Sequence, residues 1–184
     1  MAGGFVLIVG PSGAGKDTLI ALARAALADD GRFSFPERVV TRPPDAFERH
    51  DSVTVDEFRA REAAGDWALA WEAHGNCYAL TAAARRQAES GLVVVANISR
   101  GSVAEARAAL PVLAVVEITA APEVLAARIA ARGRDGDQGA GLASRMRRSD
   151  SAPEVAADLR LINEDAPATA AAKLKALLLS CIER

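Results

Sequence analysis

Apolar and polar positions along this chain switch period repeatedly. Short runs rich in Val, Ile and Leu read as strands: FVLIV (5–9), RVVT (38–41), ALAWEA (68–73), LVVVANI (92–98), LAVVEIT (113–119) and a weaker LRLIN (159–163). Between them, Ala-rich stretches with apolar residues at helical spacing predict helices over about 16–28, 55–64, 81–90, 102–109, 122–132 and 168–182. This alternation is that of βαβ units and predicts an α/β domain built on a parallel sheet. Two segments interrupt it. RPPDAFERHDS (42–52) is polar and proline-bearing, whereas RGRDGDQGAGLASRMRRSDSAP (132–153) is glycine-rich at first and then arginine-rich. Both read as connections or lids.

The 184 residues suit a single domain, and a 51% hydrophobic content can fill a sizeable core. A net charge of -2 and a pI near 5.8 exclude the global basic field that drives non-specific nucleic-acid binding. Any polyanionic partner must therefore meet local arginines. Cys77 and Cys181 lie far apart and outside metal-binding spacing, so neither a zinc site nor a disulfide framework is expected. They read as thiols of a reducing cytoplasm. No apolar run approaches the roughly 18–20 residues of a membrane span, and the first ten residues lack a basic signal-peptide start. The expectation is a cytoplasmic protein acting on small molecules, without nucleic-acid or membrane partners. The final helix, AAAKLKALLLSCIE (170–183), either closes the domain's own core or adds to a dimer surface, so both monomer and homodimer are open.

Chemistry enters at GPSGAGKDT (10–18), directly after the first strand and before the first helix. In that context Gly10-x-x-x-x-Gly15-Lys16 is a phosphate-binding loop. The backbone of Gly10, Pro11, Ser12, Gly13, Ala14 and Gly15 is expected to wrap a nucleotide's phosphates, with Lys16 neutralising their charge. The next residue is ordinarily Ser or Thr, whose hydroxyl ligates Mg²⁺; here it is Asp17. A carboxylate is a stronger, charged oxygen ligand, but it repels phosphates. It also suits the first turn of a helix. Thr18 offers a hydroxyl one residue later, which leaves Asp17 and Thr18 as alternative metal ligands. The second carboxylate expected at the end of a neighbouring strand is missing, because that strand ends in Ala96-Asn97. Asp17 is therefore expected to carry part of the metal's charge balance.

Arg128 and Arg132 are spaced i,i+4 and lead into a cluster with Arg134, Arg145, Arg147 and Arg148. Phosphoryl transfer asks for positioned cations over the migrating group, and an arginine-bearing lid supplies them while excluding water. Arg134 and Arg148 are the candidates for catalysis alongside Lys16.

Several motifs occur in one order along nearly the whole chain: GPSGAGK, VTRPP (40–44), VDEF (55–58), HGNCY (74–78), AARGR (130–134) and INED (162–165). Together they resemble guanylate kinase and its relatives. The resemblance fails where guanine would be read. The tyrosine that contacts the acceptor phosphate becomes His50, the second acceptor arginine falls on Asp45, and the guanine-reading glutamate falls near Leu69. A purine site without its hydrogen-bonding partner loses orders of magnitude in affinity. The aspartate-bearing stretch after the fourth strand has become ANISRG (96–101).

What stands instead, KDT (16–18), ERH (48–50), Trp71 with EAHG (72–75), and NISR (97–100), is similar to the ribose 1,5-bisphosphate phosphokinases of phosphonate degradation. That family transfers the γ-phosphoryl of ATP to the 1-phosphate of ribose 1,5-bisphosphate, giving 5-phosphoribosyl 1-diphosphate. The resemblance implies a P-loop nucleoside monophosphate kinase-like three-layer fold with a central parallel sheet. It also implies an acceptor-binding insert over about 36–91, a lid over about 133–152, and ATP with Mg²⁺ as cofactors.

An acceptor with two phosphates and no base calls for cations. Arg42, Arg49, His50 and Arg100 are the candidates, with Ser99 as a hydroxyl partner and Tyr78 either touching substrate or packing beneath it. Arg128 and Asn163 are candidates for the adenosine side. Trp67 and Trp71 read as packing residues. Ile98 and Ala79 stand where such sequences commonly have Gly, and Ile98 narrows the approach to the acceptor. Two other readings are a nucleoside monophosphate kinase of altered base choice, which needs a polar reader near Leu69, and a non-catalytic guanylate-kinase-like binding module, which has no use for Gly15-Lys16 or an arginine lid.

Overall fold

A computed structural model describes residues 3–43, 50–73, 75–131 and 155–182. Two sheets organise them. The first holds β1 (Gly4–Val9), β2 (Phe33–Ser34), β7 (Val93–Asn97), β8 (Val112–Thr119) and β9 (Leu159–Ile162) in the order β2-β7-β1-β8-β9, with every neighbouring pair parallel. β1 lies in the middle because it is apolar at every outward position, and residues Phe5 to Val9 are wholly buried. Phe5, Leu7 and Val9 face one core cluster, and Val6 and Ile8 face the other.

The Val6 side is covered by α1 (Lys16–Ala26) and the last helix, α6 (Pro167–Ser180). Leu19 and Ala23 of α1 meet Ala170, Leu174 and Leu178 of α6 within that cluster. The apolar face of the final helix thus closes the chain's own core. On the Phe5 side lie α3 (Ala82–Glu89) and α4 (Val103–Ala109), through Ala84, Ala88, Val103 and Ala106. Near the carboxyl end of β8, α5 (Pro122–Ala131) begins.

The second sheet contains β3 (Arg38–Val40), β4 (His50–Ser52), β5 (Trp67–Ala73) and β6 (Asn76–Thr81), ordered β4-β3-β6-β5. β3 runs parallel to β4, while β6 is antiparallel to both β3 and β5. RVVT and ALAWEA therefore do not join the central parallel sheet, as their βαβ-like spacing predicts. A short turn through Gly75, at φ 75°, reverses the chain between β5 and β6, and an antiparallel hairpin needs no crossover helix. NCYALT carries too mixed a pattern to stand out as a strand, and HDS is polar. HDS is a strand through its pairing with β3, and NCYALT through pairing on both edges together with the burial of Cys77 to Leu80. The helix α2 (Val55–Ala63) covers the outer face with Phe58, which joins Val39, Cys77 and Ala79. Its start is fixed by a capping box in which Thr54 and Glu57 exchange hydrogen bonds. The Thr54 amide and hydroxyl hold the Glu57 carboxyl below its ordinary range.

The inner face, with Val40, Leu69, Trp71, Tyr78 and Leu80, packs into the same cluster as Phe5, Leu7 and Val9. This shared core fixes the second sheet against the first. Among the described residues no helix is long and apolar enough to cross a membrane, and Cys77 and Cys181 are buried thiols not joined to one another.

Candidate active site

The phosphate loop follows from three backbone constraints. Gly10 adopts φ 146°, and a Cβ there would fall 1.9 Å from the Ile118 carbonyl oxygen of β8. Gly13, at φ 82°, packs against α5, where a Cβ would come within 2.9 Å of the Leu125 carbonyl oxygen. At Gly15, also at φ 82°, the obstruction is the Asn163 side-chain amide, 2.6 Å away. Only glycine combines these conformations with these approaches. Gly15 caps α1 without a side-chain hydrogen bond, so the first-turn amides of that helix keep their capacity for an anion. Lys16 lies over the loop, with Nζ donating to the Gly10 and Pro11 carbonyls at 2.9 Å each. Pro11, Gly13 and Ala14 are buried, and Ser12 is exposed.

Asn163 lies behind this loop. It is 5% exposed, its Nδ2 donates to the Ala14 carbonyl at 2.7 Å, and its backbone amide donates to Thr119 at 2.7 Å. The amide that the sequence offers as an adenosine contact is engaged in holding the loop. Arg128, on α5 next to Ile129, is half-buried, and its Nη1 is shielded from solvent with no hydrogen-bond partner among the described residues. It lies on the helix that backs Gly13.

Asp17 and Thr18 are brought into different surroundings. Thr18 is exposed on α1. Asp17 turns toward the end of β7, where Asn97 Nδ2 donates to its Oδ1 at 2.8 Å, and toward β3, where Arg38 Nη2 lies 3.8 Å from the same oxygen. The strand end that lacks a carboxylate thus presents an amide to the carboxylate of the loop. Two acidic groups at this distance would repel; Asp with Asn does not. A single hard oxygen donor beside a phosphate loop fits Mg²⁺, which takes one or two protein carboxylates and completes its shell from phosphates and water. No group of three His, Cys, Asp or Glu residues able to hold a metal occurs among the described residues.

In the second sheet, strand register brings together several of the residues expected on the acceptor side. Arg38 is paired with His50, and Val40 with Tyr78, so Arg38 and Val40 share the face that carries His50 and Tyr78, and Arg42 follows two residues after the strand ends. His50 is 9% exposed; its Nε2 lies 3.1 Å from the Arg42 carbonyl oxygen, and its buried Nδ1 has no partner among the described residues. Tyr78 is stacked on Trp71 at 5.6 Å and 10°, and the Arg38 guanidinium lies 5.6 Å from the centre of the Tyr78 ring. Trp67 is packed on the other face against Phe58, at 5.1 Å. Leu69 is 4% exposed within the shared core. Ser99 caps the short 3₁₀ turn Arg100–Ser102 by accepting from the Gly101 amide at 3.3 Å, which places half-buried Arg100 just beyond β7. Arg49, Arg132, Arg134, Arg145, Arg147 and Arg148, with the lid segment 133–152, lie outside the described residues.

Arg38, beside Asp17, is a residue the sequence reading did not single out. It opens the run RVVT, and a strict two-residue alternation would have put it on one face with Arg42.

The comparisons with known proteins agree with this arrangement. No protein-family model matches the chain. The ribose 1,5-bisphosphate phosphokinase PhnN of Methylobacterium radiotolerans is 53% identical over 183 residues, covering 98% of this chain and 100% of that protein. The protein of the same name from Acidiphilium cryptum is 44% identical, covering 98% of this chain and 94% of the relative. Among solved structures, guanylate kinase from Anaplasma phagocytophilum superimposes with a TM-score of 0.71 at 17% identity, over 100% of this chain and 88% of that one. That likeness establishes the guanylate kinase-like fold.

Proposed function

The chain belongs to the ribose 1,5-bisphosphate phosphokinase family, and we propose that it transfers the γ-phosphoryl group of ATP to the 1-phosphate of ribose 1,5-bisphosphate, in the cytoplasm. The observation that carries this reading is the full-length similarity to the Methylobacterium radiotolerans phosphokinase. The acceptor face supports it. A site that selects a nucleobase needs a buried polar reader, yet Leu69 is buried in apolar core, while Arg38 and His50 share one face of the second sheet.

In the reaction, an oxygen of the 1-phosphate attacks the γ-phosphorus. A new P–O–P bond forms, the bond to the β-phosphate oxygen breaks, and ADP and 5-phosphoribosyl 1-diphosphate result. The nucleophile is already anionic, so no general base is required. The loop from Gly10 to Gly15 and the first turn of α1 hold the donor phosphates, and Lys16 compensates their charge. Asp17 is the proposed holder of Mg²⁺, which when bound neutralises charge on the β- and γ-phosphates; Thr18 is the alternative. Arg128 flanks the nucleotide, and Arg42, His50, Tyr78, Ser99 and Arg100, together with Arg49, orient the sugar bisphosphate. Arg134 and Arg148 are the proposed lid cations over the migrating phosphoryl group.

The test is phosphorus NMR of the purified protein with Mg²⁺ and ATP, given ribose 1,5-bisphosphate in one sample and GMP in another. A diphosphate doublet pair with ADP in the sugar sample alone is expected. GDP formed in the nucleotide sample would overturn the reading.

A further inference from the structure

We infer that Arg38 binds the attacking phosphate of the acceptor, an inference that rests on the sugar-bisphosphate reading above and assigns a residue to one end of that substrate. Its position carries the argument. Arg38 Nη2 lies 3.8 Å from Asp17, the residue next to the loop lysine, while its own strand belongs to the acceptor sheet. The guanidinium therefore stands between the element that holds the donor and the face that holds the acceptor. A phosphoryl group passing from one to the other crosses this gap.

The chemistry of the side chain fits the place. A guanidinium presents a planar fork of N–H donors that matches two phosphate oxygens at once. Below it, the Tyr78 ring at 5.6 Å, itself backed by Trp71, favours a cation at this point and limits how the fork can tilt. The side chain is only 13% exposed, so ordering it costs little further entropy on binding. Asp17 is already engaged by Asn97 at 2.8 Å on the same oxygen that faces Arg38. The 3.8 Å ion pair with Asp17 holds the guanidinium beside the loop. Arg38 also offsets the charge of Asp17, which would otherwise repel the incoming phosphate.

Two ligands separate the ends of the substrate. Ribose 1,5-bisphosphate carries the attacking phosphate; ribose 5-phosphate lacks it. Calorimetric titration of the nucleotide-free protein with each is compared for the unaltered chain, Arg38→Gln and Arg38→Lys, with melting temperatures recorded in parallel. Arg38→Gln is expected to weaken bisphosphate binding by about 10- to 100-fold, the scale of a charge-assisted hydrogen bond, and to leave ribose 5-phosphate affinity and the melting temperature unchanged. Arg38→Lys should recover part of the loss, because it restores charge without the fork. Equal losses for both ligands, or a melting temperature that falls while bisphosphate affinity holds, would overturn the inference and make Arg38 a structural partner of Asp17. If the unaltered protein binds neither ligand, the acceptor reading itself fails, and the inference with it.

Discussion

Replacing Asn163 by Ala separates two roles for a residue that lies beside the nucleotide site without facing it. The side-chain amide donates to the Ala14 carbonyl at 2.7 Å, and both residues are buried, at 5% and 0% exposure. Alanine leaves that carbonyl without its partner and out of reach of water. An orphaned buried acceptor costs about 1–3 kcal/mol. Taking about 2 kcal/mol, and about 2–4 °C per kcal/mol for a chain of this size, the melting temperature of the ligand-free protein should fall by about 4–8 °C. Asn163→Asp keeps the shape but turns an acceptor toward an acceptor, so its loss should be at least as large. Both are measured by calorimetry without nucleotide, then with a saturating non-hydrolysable ATP analogue. Because the loop is misplaced before any ligand arrives, nucleotide affinity falls as a consequence. An unchanged ligand-free melting temperature with weakened ATP binding would refute the reasoning and return Asn163 to the role of a direct nucleotide contact.

Gly15→Ala should act through the same contact from the other side. A Cβ at φ 82° and 2.6 Å from the Asn163 amide adds left-handed strain of about 1–2 kcal/mol and displaces the amide, so ATP-induced thermal stabilisation should be lost. Asp158 gives a pH prediction. Burial alone would push its carboxyl up, but the Val115 amide at 2.7 Å and the Arg107 guanidinium at 2.6 Å outweigh that and hold it below the usual range. Its contribution is therefore present in full above about pH 4, the unfolded value, and is lost as pH falls through the lower native value. Denaturant titrations should show Asp158→Asn less stable at pH 7, with the gap to the unaltered protein closing in acid; a gap constant with pH would contradict the assignment.

Most of the central sheet was legible because β1, β7 and β8 are largely buried and so read as unbroken apolar runs, whereas the two-residue β2 left no run to read and β9 alternates with exposed Arg160 and Ile162. The phosphate loop was legible for a different reason, since each of its glycines answers a local backbone demand. The second sheet was only half visible. His50 to Ser52 is a strand through pairing with β3, a relation that no window of sequence contains. The same holds for the site. Lys16 and Asp17 announce themselves within one motif, whereas the meeting of Asp17 with Asn97 spans 80 positions, and that of Asn163 with Ala14 spans 149. Asn97 looked like a vacated metal position until β7 was laid beside β1, with Ile8 opposite Asn97. Arg38 was passed over because an arginine at the head of an apolar run reads as a strand boundary.

The cluster shared by the two sheets sets the terms on which acceptor choice can be re-engineered. The second sheet and α2 follow one another along the chain as a cassette, yet Val40, Leu69, Trp71, Tyr78 and Leu80 interlock with Phe5, Leu7, Val9, Ala96 and Ile98. A segment transplanted from another kinase of this fold would bring its own surface to that seam. Chimeras that exchange the cassette alone should express poorly, and those that carry both sides of the seam should transfer substrate preference intact.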